Sequence, residues 1–367
     1  MIVHIDASRA LDAQPTGVNV YAREIIEHLV AGGGEFVLYA PNYAAHRIAE
    51  VFPQLVATDR VTWKILRWPP KFLWTQACLA WAWARASKKD AVFFSPAHVA
   101  PFFSPQNSVV VIHDIAFEFL PEAFSWRERM FARVMTRINA VRARKIIVPS
   151  VETQSQLVAR YKISVEKIVV TPFALPRGAQ QQTSTGAQTP PFSHPFILAV
   201  GRVEYKKGSD ILIRAFEHMR EQGHAVDLVF AGAHGVGFEK ILAQVSRSEF
   251  IQDIHLLGFT SPEVLENLYR HARVLALPTR YEGFGFNFLE GMARGLPVVG
   301  FAHGSVAEVA GDGAALAHDE EEFFALLARA TTDENFRGAL ITSGYARAAL
   351  FSWKHTAELT RAVLYGT

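Results

Sequence analysis

"VLALPTRYEGFGFNFLEGMARGLPVVGF", residues 274–301, changes character three times within one line. Val274–Leu277 is short and apolar, and Pro278-Thr279 stops it, as expected for a buried strand. Gly283 and Gly285 follow where a helix would be starting, "FLEGMARG" (288–295) reads as helix, and "PVVGF" (297–301) is apolar again. A glycine-rich strand-to-helix turn offers backbone N–H groups to an anion, and the helix N-terminus adds partial positive charge. Glycine also admits a ligand close to the main chain. Glu282 and Glu290 bracket the turn, Glu290 being expected two turns into the helix. A carboxylate accepts bonds from two vicinal hydroxyls, so the pair could hold a sugar and a ribose. They would equally serve as an acid near a helix N-terminus and a surface charge.

The alternation extends in both directions. "IVHID" (2–6), "EFVLYAP" (35–41), "AVFFSP" (91–96), "SVVVIHD" (108–114) and "KIIVPS" (145–150) read as strands, with helical stretches between most of them. "PRGAQQQTSTGAQTPPFSHP" (176–195) breaks the pattern as a polar linker or mobile loop. "FILAVG" (196–201), "VDLVFAG" (226–232) and "IHLLG" (254–258) then restart it. Strands alternating with helices predict parallel sheets covered on both faces. Two doubly wound α/β domains are expected: 1–175, a linker over 176–195, and 196–350, closed by a helix over 351–367 that packs back toward the first domain. Ligands of such sheets bind beyond the carboxyl ends of the strands, which makes a cleft between the domains the expected site.

Composition narrows the classes. The chain has 367 residues and a formal net charge of +2, which makes no case for nucleic acid. Residues 1–177 carry 21 Lys/Arg against 14 Asp/Glu, and residues 178–367 carry 16 against 21. A basic first half suits an anionic lipid or acceptor, or merely solvated helices. Cys78 is the single cysteine, which excludes an intrachain disulfide and fits a reducing cytoplasm. "MIVHIDASRA" lacks the features of a signal peptide, and no 18-residue apolar run is free of charge, so a spanning helix is not expected. Residues 60–89 hold five of the seven tryptophans and seven Lys/Arg. That mixture reads as an interfacial membrane segment, with Trp63, Trp68 and Trp74 beside Lys64, Arg67 and Lys71, or as a helix packed on the first domain. Arg129, Arg133 and Arg137 share a second basic helix face.

"AVGRVEYKKGSDILIRAF" (199–216) ends a strand at Gly201 and then supplies Arg202, Lys206, Lys207 and Gly208. Cations just beyond a strand end are placed to neutralise a leaving diphosphate. Together with "PTRYEGFGFNFLEGMARGLPVV", this segment resembles the second domain of retaining glycosyltransferases of family 4, whose signature includes the E-x7-E spacing of Glu282 and Glu290. "HDIAFEFLPEAFS" (113–125), "IIVPSVETQSQL" (146–157) and "FSWKHTAE" (351–358) extend the resemblance over nearly the whole chain, and "HDIAFEFLPE" is similar to mannosyltransferase-like members that build lipopolysaccharide O-chains and exopolysaccharides.

The resemblance implies the GT-B fold, two Rossmann-like domains facing each other across a cleft. Arg202 and Lys207 would bind the donor diphosphate, Glu290 the ribose and Glu282 the transferred sugar. The backbone at Phe284, Gly285 and Phe286 would contact sugar or phosphate. His113 would face the donor sugar, and Gly17, in "AQPTGVNVYA" (13–22), would lie near phosphates or acceptor. The family pairs glycines in that loop and has Asn-Gly where this chain has Phe173-Ala174, so no contact is carried to the latter. The implied reaction is a metal-independent transfer from a nucleotide-diphosphate sugar, GDP-mannose before UDP-sugars or other GDP-sugars. The implied acceptor is a glycan, or a polyprenyl-diphosphate-linked glycan met at an anionic membrane surface. A dehydrogenase is not expected, because no G-x-G-x-x-G follows the first strand. A phosphorylase and a non-catalytic subunit of the same fold remain as rivals.

Overall fold

The structure, a computed structural model, describes residues 1–13, 16–67, 73–86, 90–175 and 192–366. Seven strands build the first sheet: β1 (Ile2–Asp6), β2 (Glu35–Pro41), β3 (Val61–Leu66), β4 (Ala91–Ser95), β5 (Ser108–Val111), β6 (Lys145–Val148) and β7 (Ile168–Val170). Their order is β3-β2-β1-β4-β5-β6-β7, and every pair is parallel. Six strands build the second: β8 (Phe196–Val200), β9 (Asp227–Ala231), β10 (Ile254–Leu256), β11 (Val274–Leu277), β12 (Val298–Phe301) and β13 (Ala315–Ala317). These run β10-β9-β8-β11-β12-β13, again all parallel. Both sheets are doubly wound in the Rossmann manner. The central strands are buried from end to end, as in β4, β5, β9 and β11, which explains their unbroken Val/Ile/Leu/Phe runs.

The strand order reverses between β1 and β4 in the first sheet and between β8 and β11 in the second. The crossovers diverge at such a point and leave a crevice at the strands' carboxyl ends.

The chain divides into two compact units. One comprises Met1–Ile115, Trp126–Pro176 and Ser352–Thr367, the other Ala116–Ser125 and Arg177–Phe351. Most of the expected linker, 176–191, lies outside the described residues. Five helices matter below: α1 (Gly17–Ala31), α2 (Trp126–Arg142), α3 (Ser209–Glu221), α4 (Phe286–Ala293) and α5 (Trp353–Tyr365). Helix α5 is built into the first unit. Trp353 Nε1 donates to Leu175 O at 2.7 Å, and Thr356 Oγ1 to Pro172 O at 2.6 Å. Arg361 caps the end of α1 at Gly33 O, 2.6 Å, and Arg144 caps α5 at Val363 O and Leu364 O.

Within the tryptophan-rich stretch, Trp74 and Trp83 follow the packed alternative rather than the interfacial one. "VTWKIL" is the edge strand β3, and Trp74, Cys78, Leu79 and Trp83 form one buried face of the helical run that follows. Their 4-1-4 spacing is that of a helix stripe, which packs on Tyr39 and Phe93. Rings in that core cannot reach lipid. Trp63 is half-buried against Phe52 at 5.8 Å, and Trp81 is exposed beneath Arg85. Trp68 and Lys71 lie outside the described residues.

Candidate functional site

In the second unit the loops after β8 and β11, the two strands flanking the order reversal, are joined. Arg280 N–H donates to Lys206 O at 2.9 Å, and Thr279 Oγ1 to the same carbonyl at 3.3 Å. The Arg280 guanidinium makes two 2.7 Å bonds to Asp210, at the start of α3, and lies 3.7 Å from the Tyr205 ring. Burial works to raise the Asp210 carboxyl pKa, but the bidentate arginine wins and holds it below the usual range. Gly208 permits this close approach, because it adopts φ +69° and a Cβ there would sit 1.9 Å from Pro278 O.

This junction brings the candidate residues together. Lys207 Nζ meets Glu282 Oε1 at 2.5 Å, both side chains being mostly buried. Ser305 Oγ holds the Glu282 carbonyl at 3.1 Å. Arg202 is largely exposed, 3.6 Å from Glu204. Gly285, at φ +93°, precedes α4, so Glu290 stands little more than one turn into that helix, not two. The Phe284 ring is buried edge-on to Phe286 and Phe351.

Glu290 accepts from the Tyr269 hydroxyl at 2.8 Å. Burial pushes its carboxyl pKa up, against the opposing pull of Arg294 and of that hydroxyl. Sequence reasoning missed Tyr269 and also Asn287, whose Nδ2 donates to Val200 O at 2.6 Å and ties α4 to the end of β8. The slot that Arg202, Lys207, Ser209, Thr279, Glu282 and Asn287 help to line holds only about 20 Å³. That is room for a water molecule, so a larger ligand would lie over the strand ends rather than within them.

His113 and Gly17 belong to the other unit. His113 is buried, with Nε2 2.9 Å from Pro96 O and the ring edge-on to Tyr21 at 5.1 Å. Burial, helped by nearby His98, lowers its pKa to about 4, so the ring is neutral near pH 7. Gly17 opens α1 with no side-chain cap from Thr16. Beside it lies a cavity of about 550 Å³ at the β1/β4 reversal, lined in part by Asp6, Arg9, Asn19, Trp74 and His98. Of these the sequence reading had noticed only Trp74.

Among the described residues, His194, Asp227 and Asp253 are spaced closely enough to hold a metal. Asp227, 1% exposed, is already bonded by His194 at 2.7 Å, His255 at 3.3 Å and the Ser193 N–H at 3.1 Å, and Arg220 pairs with Asp253 at 2.9 Å. These carboxylates are therefore already taken up by hydrogen bonds and the Arg220 ion pair. The cluster sits where β9 begins, at the opposite end of the sheet from Gly201 and Glu282.

Residues 15–174 match the family model described as Glycosyltransferase Family 4, and residues 182–347 the model described as Glycosyl transferases group 1. The chain is 26% identical over 287 residues to the O-antigen chain mannosyltransferase B of Escherichia coli, covering 76% of this chain and 75% of the relative. It is 30% identical over 174 residues to the serotype-specific mannosyltransferase WbdA of Escherichia coli, covering 45% of this chain but only 21% of that longer protein. Its fold is similar to that of HepE of Anabaena in complex with UDP-glucose, with a TM-score of 0.75 and 16% identity over the full length of both chains. Identity that low shows likeness of fold alone.

Proposed function

The chain belongs to glycosyltransferase family 4, with its GT-B fold, and from that premise we propose that it transfers mannose from GDP-mannose, with retention of configuration, to a hydroxyl of a glycan or lipid-linked glycan in cell-surface polysaccharide synthesis. The two mannosyltransferase relatives support the choice of sugar. The observation that carries the chemistry is the Lys207–Glu282 pair at the reversal of the second sheet, with Arg202 beside it and Glu290 behind.

In the proposed reaction the bond from the anomeric carbon to the diphosphate oxygen breaks, and one from that carbon to the acceptor oxygen forms on the same face. The acceptor proton passes to the departing phosphate. Arg202 and Lys207 neutralise the charge growing on the diphosphate, which lets the reaction run without a metal. Glu282 positions the sugar, and Glu290 accepts from the ribose hydroxyls. The backbone of 284–286 supports sugar or phosphate. A neutral His113, its Nε2–H given to Pro96 O, is suited to accepting a hydrogen bond from a sugar hydroxyl at Nδ1 rather than delivering a proton. The first unit, with Gly17 near its cavity, takes the acceptor.

Among the described residues no helix is long and apolar enough to cross a membrane. The reading places the enzyme in the cytoplasm, peripheral at the inner face of the membrane.

Thermal-shift titration with GDP, UDP and ADP and their sugar conjugates tests the donor, because a ligand selective for the native state raises the melting temperature according to its affinity and concentration. The reading expects the largest shift with GDP and GDP-mannose. A preference for UDP moves the reading to a UDP-sugar. No shift with any nucleotide leaves the non-catalytic subunit as the better account.

A further inference from the structure

The outward face of helix α2 mixes large apolar side chains with exposed arginines. The core side presents Met135, Thr136 and Asn139, while Trp126, Met130, Val134 and Val141 form an exposed stripe. At 100° per residue these four fall within one 80° sector, and Arg137 lies inside it. Trp126 is 71% exposed. Near the far end of the helix Phe103 is 77% exposed, with the Arg142 guanidinium 5.9 Å from its ring centre. The helix carries five arginines and one glutamate. A purely water-facing helix surface would carry the arginines without the apolar stripe between them.

We propose that the exposed face of α2 docks on an anionic lipid bilayer. Trp and Phe rings flanked by arginines favour the headgroup boundary, where the rings bury apolar surface and the guanidinium groups meet anionic lipid. A second copy of the same face would set arginines against arginines, so the charge pattern selects a membrane over self-association. Phe131, exposed on the same helix, lines the 550 Å³ cavity together with Val99 and the exposed Leu73. Docking therefore sets the apolar rim of that cavity at the lipid boundary. An acceptor held in the membrane by a hydrocarbon tail can then offer its polar head to the cavity. This last step rests on the first unit being the acceptor-binding unit, whereas the docking itself does not.

The test is flotation of the full chain with vesicles of phosphatidylcholine alone, or of phosphatidylcholine with one-third phosphatidylglycerol, at low and high salt. Two double variants, Trp126→Ser with Met130→Ser and Arg127→Gln with Arg137→Gln, touch neither the candidate site nor the cavity lining. Wild type should float only with the anionic vesicles and release with salt. The arginine variant should bind about 30-fold more weakly at low salt, from roughly 1 kcal/mol for each basic residue near an anionic surface. Quenching by brominated lipid should lose a component in Trp126→Phe. All variants should keep the wild-type melting temperature and nucleotide-induced shift, which separates failure of docking from failure of the transferase reading. Absence of flotation at low salt, or equal flotation of wild type and both variants, overturns the proposal. Self-association in sedimentation velocity that disappears in the Trp126 variant would reassign the face to a contact between copies.

Discussion

The Lys207 ammonium is engaged by Glu282, and that engagement predicts opposite effects on GDP affinity of mutating its two ends. At 2.5 Å, with side chains 27% and 15% exposed, the pair is partly screened by water. Its net value is about 1 kcal/mol, the upper end for such pairs. Glu282→Gln keeps the shape, removes the anion and releases the lysine. Affinity for free GDP should then rise by up to about fivefold, the equivalent of that energy, because the diphosphate no longer competes with a carboxylate. Turnover should nevertheless fall at least tenfold, since the group that positions the sugar is weakened. Lys207→Met removes a preorganised charge and should lower turnover by roughly 10²-fold while weakening GDP. The double variant should bind GDP much as the lysine variant alone does, a clear departure from additivity. Calorimetric titration and initial rates on the four proteins complete the cycle. The reasoning is refuted if Glu282→Gln loses GDP affinity, or if Lys207→Met turns over normally.

Glu290→Gln should weaken GDP about tenfold or more by calorimetry, because a buried charge-assisted bond to the ribose is lost. It should also change acid stability. The folded Glu290 pKa lies above its unfolded value of 4.5, so the native state holds the proton longer and wild-type stability declines as pH rises from about 4.5 through the folded pKa. The variant's melting temperature should therefore gain on wild type as pH rises through that window. His113 titrates near 4 when folded and 6.5 when unfolded, so protons favour the unfolded chain between those values and stability falls as pH drops from 6.5 to 4; melting curves of His113→Phe should show a shallower fall. Gly208→Ala forces a Cβ against Pro278 O at positive φ, and should lower the melting temperature by about 5 °C or more and reduce the GDP shift. Trp83→Ala should cost about 3–5 kcal/mol in denaturant titration; a cost under 1 kcal/mol would show that the ring is not core.

Legibility in the sequence followed the range of the interaction. β4, β8 and β11 could be read because burial leaves a continuous apolar run, and β1 because His4 alone interrupts one before the closing Asp6. β3 could not, since an edge strand exposes one side and its "VTWKIL" carries as much charge and aromatic character as an interfacial helix. β13 is three residues, Ala-Leu-Ala, too short for any period. The glycine turn and the Glu282/Glu290 spacing were local and therefore visible. Asp210 and Arg280, 70 residues apart, and Tyr269 with Glu290, 21 apart, leave no periodic trace. His113 was conspicuous at its strand end, but its burial, which makes the ring neutral, belongs to Pro96, Tyr21 and His98.

Helix α5 ties the completion of the first unit to the order of synthesis. Trp353, Thr356 and Arg361 hold Leu175, Pro172 and Gly33, yet they are translated only after Arg177–Phe351 has been made. At 5–20 residues per second that interval is roughly 10–35 s. During it the second unit, apart from Ala116–Ser125, emerges as one uninterrupted stretch able to close its own core. The first unit meanwhile waits at the ribosome with the Leu175 carbonyl unmatched and the Tyr21 ring uncovered by Trp353. A chain ended at residue 352 and released from the ribosome should therefore protect its second sheet from protease while the first stays cleavable. Any attempt to produce the first unit alone must carry α5 with it, spliced or supplied as a peptide.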